Sequence, residues 1–316
     1  MAANAPIVSV IIPAFNASAF VAEAIESVLL QTYHPVELAV VDDGSSDGTM
    51  DILLSYKNQI RIYREENKGP AAARNLALDT VCGHYIMFLD ADDTILPQKL
   101  SRQVEILERN PAIGWTYCDI EYVNEEGRRL YLASEHFSYE NRTSLNGILF
   151  SEILRGNFIP VHAPLIRREC LFAVAPFDED KQLIGVEDWD LLLRLSSRFE
   201  ALYSAEILAK CVVHPGSLSA DPKAREYRRY YLLDKTIGKY DRDIRALGVT
   251  GLKVIADTHN WYAYRHLEAG RSKEAVHRLL HSLAAYPLQR RAPFALLLGL
   301  IQEARRIFTK MKPSPS

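Results

Sequence analysis

"VSVIIPAFN", residues 8–16, is a run of apolar, largely β-branched residues that breaks at a proline into a polar turn. Strict alternation would mark a strand with one face in water. A nearly continuous apolar run marks a strand buried on both faces, the habit of a parallel sheet. A helix is expected next, with Phe20, Ala24, Ile25, Val28 and Leu29 at helical spacing and Ser18 placed to cap it. The cycle then recurs as "VELAVVD" and "TMDILLSY", "IRIYRE" and "AAARNLALDTV", and "YIMFLD". Four βα units within roughly 90 residues predict an α/β fold: an open, doubly wound, mostly parallel sheet with helices on both faces.

Sheets of this kind bind ligands beyond the carboxyl ends of their strands. There the chain places "PAFN" (13–16), "DDGSSDGT" (42–49), "ENKGPA" (66–71) and "DADD" (90–93), four polar or glycine-rich corners around one cleft. Further on, "PQKLSRQVEILERN" reads as a helix with Pro97 near its start and "GWTYCDIEYV" as a strand. Residues 125–157 have weak periodicity and are expected to be loops and short helices over the active face. "APLIRR" and "EDWDLLLRLSS" suggest a strand and a helix returning to the sheet. The expected division is an α/β domain over 1–220 and an α-helical extension over 221–316. Within the extension, residues 263–287 read as two antiparallel helices joined near Gly270, similar to a single tetratricopeptide unit. One copy does not make an array.

Bulk properties exclude several classes. A chain of 316 residues with net charge −3, 48% hydrophobic and 24% charged is ordinary for a globular protein and carries no global bias towards nucleic acid. Cys82, Cys118, Cys170 and Cys211 stand singly, without the paired spacing of a zinc ribbon or disulfide framework, so a reducing cytoplasm is the expected setting. The first residues lack the basic region of a signal peptide. The apolar stretch at 292–301 falls short of the roughly 20 residues needed to span a bilayer.

Two readings of "DADD" stand. In one, Asp93 or Thr94 caps a following helix. In the other, the carboxylates hold a divalent cation shared with substrate phosphates, which relieves the repulsion among Asp90, Asp92 and Asp93. The i, i+2 spacing sends Asp90 and Asp92 to one side of an extended segment. Glu187 and Asp188 carry a similar pair of readings, because carboxylates also favour a helix start through its macrodipole.

"VSVIIPAFN", "VVDDGSSDGT", "NKGPAAARN", "LDADD" and "GVEDWDLLLRL", in this order and at these separations, resemble the family 2 glycosyltransferases of the GT-A fold over about residues 7–220. The resemblance implies that Pro13, Ala14, Phe15 and Asn16 border the nucleotide, that Asp42 hydrogen-bonds the base, usually uracil, and that Arg74 also reaches the nucleotide. It puts Asp90, with Ala91 beside it, on the ribose side and makes Asp92 a ligand of Mn²⁺ or Mg²⁺ on the diphosphate. His214 is a further candidate for metal or phosphate, against a structural histidine. Asp188 would be the general base, with Glu187 its neighbour in the catalytic pair.

The implied reaction is inverting, metal-dependent transfer of a sugar from a nucleoside diphosphate sugar, UDP-linked by family habit, to an acceptor hydroxyl. Polysaccharide, glycolipid or cell-envelope glycan synthesis is the usual setting, and the acceptor could be a glycan, a lipid-linked molecule or a small molecule. Two departures concern the acceptor side and the diphosphate. "VAPFDED" replaces the common Gly-Gly-Phe-Asp with Val174, Ala175 and Pro176, and Val212 and Val213 stand where an Arg usually precedes His214.

Other classes fit less well. A nucleotidyltransferase wants a basic glycine-rich loop after the first strand and a dehydrogenase wants GxGxxG, whereas "PAFNAS" has neither. A non-catalytic, transferase-like scaffold acting through the helical region is the remaining alternative. His277 and His281 have zinc-pair spacing without the HExxH glutamate, so an ordinary helix face is expected. Asn141 matches a glycosylation sequon. Residues 290–312 carry six Lys or Arg against Glu303 around an apolar run, which suggests either a solvated helix or peripheral contact with an anionic membrane face.

Overall fold

The computed structural model describes residues 5–138, 144–214 and 222–287, with 289 and 300. Its first half follows the βα cycle: β1 (Val8–Ala14), α1 (Val21–Leu29), β2 (Val36–Asp42), α2 (Thr49–Ser55), β3 (Arg61–Arg64), α3 (Pro70–Leu78) and β4 (Tyr85–Phe88). These strands run parallel in the order β3-β2-β1-β4. Every residue of β1 is buried, as a strand covered on both faces requires. Ile11, Ile12, Val40, Val41, Ile86 and Met87 are fully buried, each worth about 1.5–3 kcal/mol of transfer free energy. Register places Ala14 beside Asp42, so the polar corners of β1 and β2 emerge side by side.

The second half is mixed. It comprises β5 (Thr94–Ile95), α4 (Lys99–Arg109), β6 (Trp115–Val123), β7 (Arg129–Leu132), α5 (Ala133–His136), α6 (Phe150–Arg155), β8 (Pro164–Arg167), α7 (Arg168–Ala173), α8 (Glu187–Ser196) and β9 (Ala201–Val212). The sheet continues from β4 through β8-β6-β9-β5, and β7 pairs with β6. β8 is antiparallel to both β4 and β6, while β9 lies parallel to β6. The sheet therefore joins a parallel half, which carries the loops at the strand ends, to a half of mixed direction.

Three local expectations are corrected. Ser18 does not cap α1, which starts at Val21; its N–H instead donates to Asp47 Oδ2 at 3.1 Å. Neither Asp93 nor Thr94 caps a helix, because Thr94 and Ile95 pair as a short strand with Lys210 and Ala209. Residues 125–157 contain β7, which folds back on β6, as well as loops and short helices.

The contacts divide the chain into Met1–Pro222 and Lys223–Ser316. The second unit is helical: α9 (Pro222–Ala246), broken at Tyr240, then α10 (Val249–Glu268) and α11 (Ser272–Ala285). Gly270, at φ 69°, makes the turn between α10 and α11, where a side chain would be strained. Ala263 and Leu279 are fully buried between the two helices, with Leu283 packed against them. His277 and His281 touch edge to face, centroids 4.5 Å apart. Among the described residues they join no trio of metal-ligating side chains. Asn141 and the basic stretch 290–312, save Leu300, lie outside the described residues. No described helix is long and apolar enough to cross a membrane.

Candidate active site

The turn after β1 is stitched to the turn after β2. Asn16, at φ 48°, donates its N–H to Ser45 Oγ at 2.9 Å, and its Oδ1 accepts the Ser46 N–H at 2.9 Å. The Ala17 N–H adds a bond to Thr49 Oγ1 at 2.8 Å. Asp42 is fully buried, accepts the Ser45 N–H at 3.0 Å and lies 3.3 Å from Arg64 Nε. Such a side-chain-to-backbone bond makes the local turn. Asp43 accepts the N–H groups of Lys68 and Gly69, both at 2.8 Å, and so fixes the loop that feeds Pro70 into α3. Pro13 and Ala14 are buried beneath this rim, whereas Phe15 is 48% exposed on it.

Arg74, on α3, is the hub of the opposite wall. It is 2% exposed, donates from Nη2 to Asp90 Oδ1 at 2.6 Å and from Nη1 to Glu187 Oε1 at 2.8 Å, and lies over the Phe177 ring at 5.0 Å. Burial works against its charge, but Asp90 and Glu187 outweigh that and raise its pKa. The second oxygen of Glu187 accepts the Gly185 N–H, so both oxygens of this buried carboxylate are engaged. Asp188, half-buried, accepts from Asn157 Nδ2 at 3.0 Å and from the Trp189 N–H at 2.7 Å. Burial first, and Glu187 second, push its carboxyl up to about 7 against the pull of Arg74.

Asp90, Asp92 and Asp93 present donor atoms that all lie within 4.8 Å of one another. Asp93 is occupied inward: it is 4% exposed, 2.9 Å from His162 Nδ1, and accepts the Val212 N–H at 2.9 Å. Asp92 faces outward and meets His214 Nε2 at 2.9 Å, and the His214 ring stacks on Phe20 with centroids 4.9 Å apart. Burial, then Asp93 and Asp90, push the Asp92 carboxyl up to about 6. Crowded carboxylate oxygens beside an imidazole are the donor set that Mg²⁺ or Mn²⁺ takes, so these residues fit such an ion.

Of the residues singled out from sequence, Arg74, Asp90, Glu187 and Asp188 come together around one guanidinium, and Asp92 pairs with His214. Asn16 and Asp42 belong to the stitched turns, with Pro13 and Ala14 buried beneath them and Phe15 exposed, and Ala91 is buried within the "DADD" turn. Asn157, His162, Asn75 and Phe20 were not singled out. Asn157 and His162 lie in or just beyond the weakly periodic stretch, and nothing in their spacing announces them. Asn75 brackets the backbone of Phe177, donating to its carbonyl at 2.9 Å and accepting its N–H at 3.0 Å. The departure at 174–176 has a visible consequence. Ala175 takes φ 69°, a conformation suited to glycine, while its carbonyl and that of Val174 accept Arg194 Nη1 at 2.6 and 2.8 Å.

The four cysteines are free. A glycosyltransferase of Rickettsia typhi, itself uncharacterized, is 32% identical over 214 residues, covering 66% of this chain and 64% of that protein. The chain thus spans just under two thirds of that relative's length. Staphylococcus aureus TarS 1–349, solved in complex with UDP-GlcNAc, shares the fold at a TM-score of 0.58 and 18% identity, covering 95% of this chain and 87% of that one. The mannosyltransferase PcManGT of Pyrobaculum calidifontis, solved with GDP-Man and Mn²⁺, does so at 0.57 and 19% identity, covering 97% of this chain and 88% of that one. Both likenesses are of fold. The sequence model for glycosyl transferase family 2 matches residues 9–171, more than half of the chain. The chain belongs to glycosyl transferase family 2.

Proposed function

We propose that the protein transfers a sugar from a nucleoside diphosphate sugar to an acceptor hydroxyl with inversion, using Asp188 as general base. The observation that carries this reading is the Arg74 bridge. One guanidinium ties Asp90, at the corner where the β4 turn begins, to Glu187, the residue before Asp188. A donor seated over Asp90 and Asp92 would therefore lie beside the proposed base.

In the step itself, a lone pair of the acceptor oxygen forms a bond to the anomeric carbon while the bond to the diphosphate oxygen breaks and that oxygen keeps its electron pair. Asp188 takes the hydroxyl proton. Its carboxyl, raised to about 7, is basic enough to do so near neutrality and is aimed by Asn157. Attack opposite the leaving group inverts the centre, and one base is enough, unlike glycosidases, which also need an acid. Asp92, with His214, would hold Mn²⁺ or Mg²⁺, whose contribution is to neutralise charge on the departing diphosphate. Pro13 to Asn16 and Asp42, at the ends of β1 and β2, and Ala91, in the turn after β4, would seat the nucleoside. Glu187 acts through Arg74 as a positioning residue.

A UDP-linked donor is the first choice, supported by the family resemblance and by the UDP-GlcNAc complex of the TarS fold. We place catalysis in residues 1–220, with 221–316 as a helical extension, in a cytoplasmic setting in line with the free cysteines. Peripheral membrane contact through 290–312 would bring in a lipid-linked acceptor.

The test is thermal unfolding with UDP, GDP, dTDP and CDP, each with Mn²⁺ and again with EDTA, followed by turnover of the matching sugar donors. A nucleotide at 100 times its Kd adds about 2.7 kcal/mol. A shift with one nucleotide that EDTA removes, and turnover lost in Asp188→Asn, is the expected result. No shift with any nucleotide would favour a scaffold.

A further inference from the structure

Behind the outward-facing carboxylates, three side chains of different chemistry meet from three segments of chain. Asp93 comes from the turn between β4 and β5, His162 from the loop before β8, and Cys211 from the end of β9. One carboxylate oxygen, one ring nitrogen and the thiol sulfur all lie within 4.8 Å of one another. His162 is 1% exposed and Asp93 4%. The His162 Nδ1 lies 2.9 Å from Asp93 Oδ2, yet neither ring nitrogen completes a well-directed hydrogen bond. Nε2 has no partner of any kind, which is unusual for a buried ring nitrogen.

We infer that Asp93, His162 and Cys211 form a second metal site, separate from Asp92 and His214, that takes a divalent transition ion such as Zn²⁺. The donor set decides the class of ion. A thiolate and an imidazole with one carboxylate suit Zn²⁺ at bond lengths of about 2.0–2.3 Å and are poor ligands for Mg²⁺. Three protein ligands leave a fourth position for water.

The ion would tie the β4 exit to β9, three residues from Asp90 on one side and three from His214 on the other. This inference stands independently of the proposed reaction, because its readout is spectroscopic. The full chain is purified without chelator, its zinc is counted by elemental analysis, and the apoprotein is titrated with Co²⁺. One zinc per chain and a near-ultraviolet thiolate-to-cobalt band are expected. Cys211→Ser should lose the band and bind Zn²⁺ about 10–100-fold more weakly while keeping its far-ultraviolet circular dichroism. Asp92→Ala should keep the band. A folded wild-type chain with no sulfur band, or a band that persists in Cys211→Ser, overturns the site.

Discussion

Arg74 donates to Glu187 at 2.8 Å across 113 positions of sequence. The same guanidinium holds Asp90, so α3, the end of β4 and the start of α8 share one buried charge centre. Removing it leaves the buried Glu187 side chain without its guanidinium partner. Arg74→Ala should therefore cost about 3–5 kcal/mol in urea unfolding. Arg74→Lys should recover little of that, since an ammonium cannot present two parallel donors to two carboxylates. Replacing Arg74 and Glu187 together by Met should be milder than Arg74→Ala. A double variant as unstable as the sum of the singles would show that the pair is not coupled.

Asp188 combines function and cost. Its folded pKa is raised to about 7, above the roughly 3.9 of an unfolded aspartate, so between these values the folded state binds more protons. Stability contributed by this group is present below about pH 4 and is lost as pH rises towards 7. Asp188→Asn should consequently unfold at higher urea than wild type at pH 8, by at most about 4 kcal/mol, with the advantage vanishing near pH 4. The same variant should lose about 10²–10⁴ in turnover. For the wild type, kcat/KM should rise with pH through an apparent value near 7. A profile flat from pH 5.5 to 8.5, once the substrate's own titration is subtracted, would remove Asp188 as the base.

The parallel half of the sheet was legible because β1, β2 and β4 are largely buried on both faces and so write nearly unbroken apolar runs, while β3, the exposed edge strand, was read from its place in the βα cycle. "VELAVVD" became β2 (Val36–Asp42) without adjustment. β5 and β7 were not legible: two residues at Thr94 and four at Arg129 are too few to carry a period, and both are fixed by pairing with β9 and β6. The acidic corner could be read as chemistry, but its wiring could not. That Asp93 turns inward to His162 while Asp92 turns outward to His214 depends on contacts over 69 and 122 positions. Ser18 misled for a related reason, since its N–H serves a loop-to-loop contact with Asp47 and the residue does not cap the helix.

Ala175 is a place where the chain departs from its family's glycine and where the backbone still adopts the glycine conformation, at φ 69°. An L-residue there carries about 1–2 kcal/mol of strain. Glycine removes it and adds unfolded-state entropy of about 0.4–1 kcal/mol. Ala175→Gly should raise stability slightly, by up to about 1 kcal/mol, without changing the Arg194 bonds to the two carbonyls. A loss of stability on calorimetry would mean that the methyl group packs better than its backbone is strained.

Gly251 tests the helical unit by sign as well as size. It sits in the first turn of α10, where a substituted Cβ would overlap the Ile244 carbonyl oxygen of α9. Helix propensity alone favours alanine there by about 1 kcal/mol. The close approach opposes it, because the obstacle is backbone and Ile244 is itself fully buried. Overpacking of this kind costs typically about 1–3 kcal/mol and here has no flexible side chain to absorb it. Gly251→Ala should therefore lower the melting temperature, with the loss in helical signal exceeding that expected from one residue. Gly238, which has nothing within 4 Å of its substituted Cβ, is the control on α9, and Gly238→Ala should stabilise. If both substitutions stabilise, α9 and α10 do not meet backbone to backbone at Gly251.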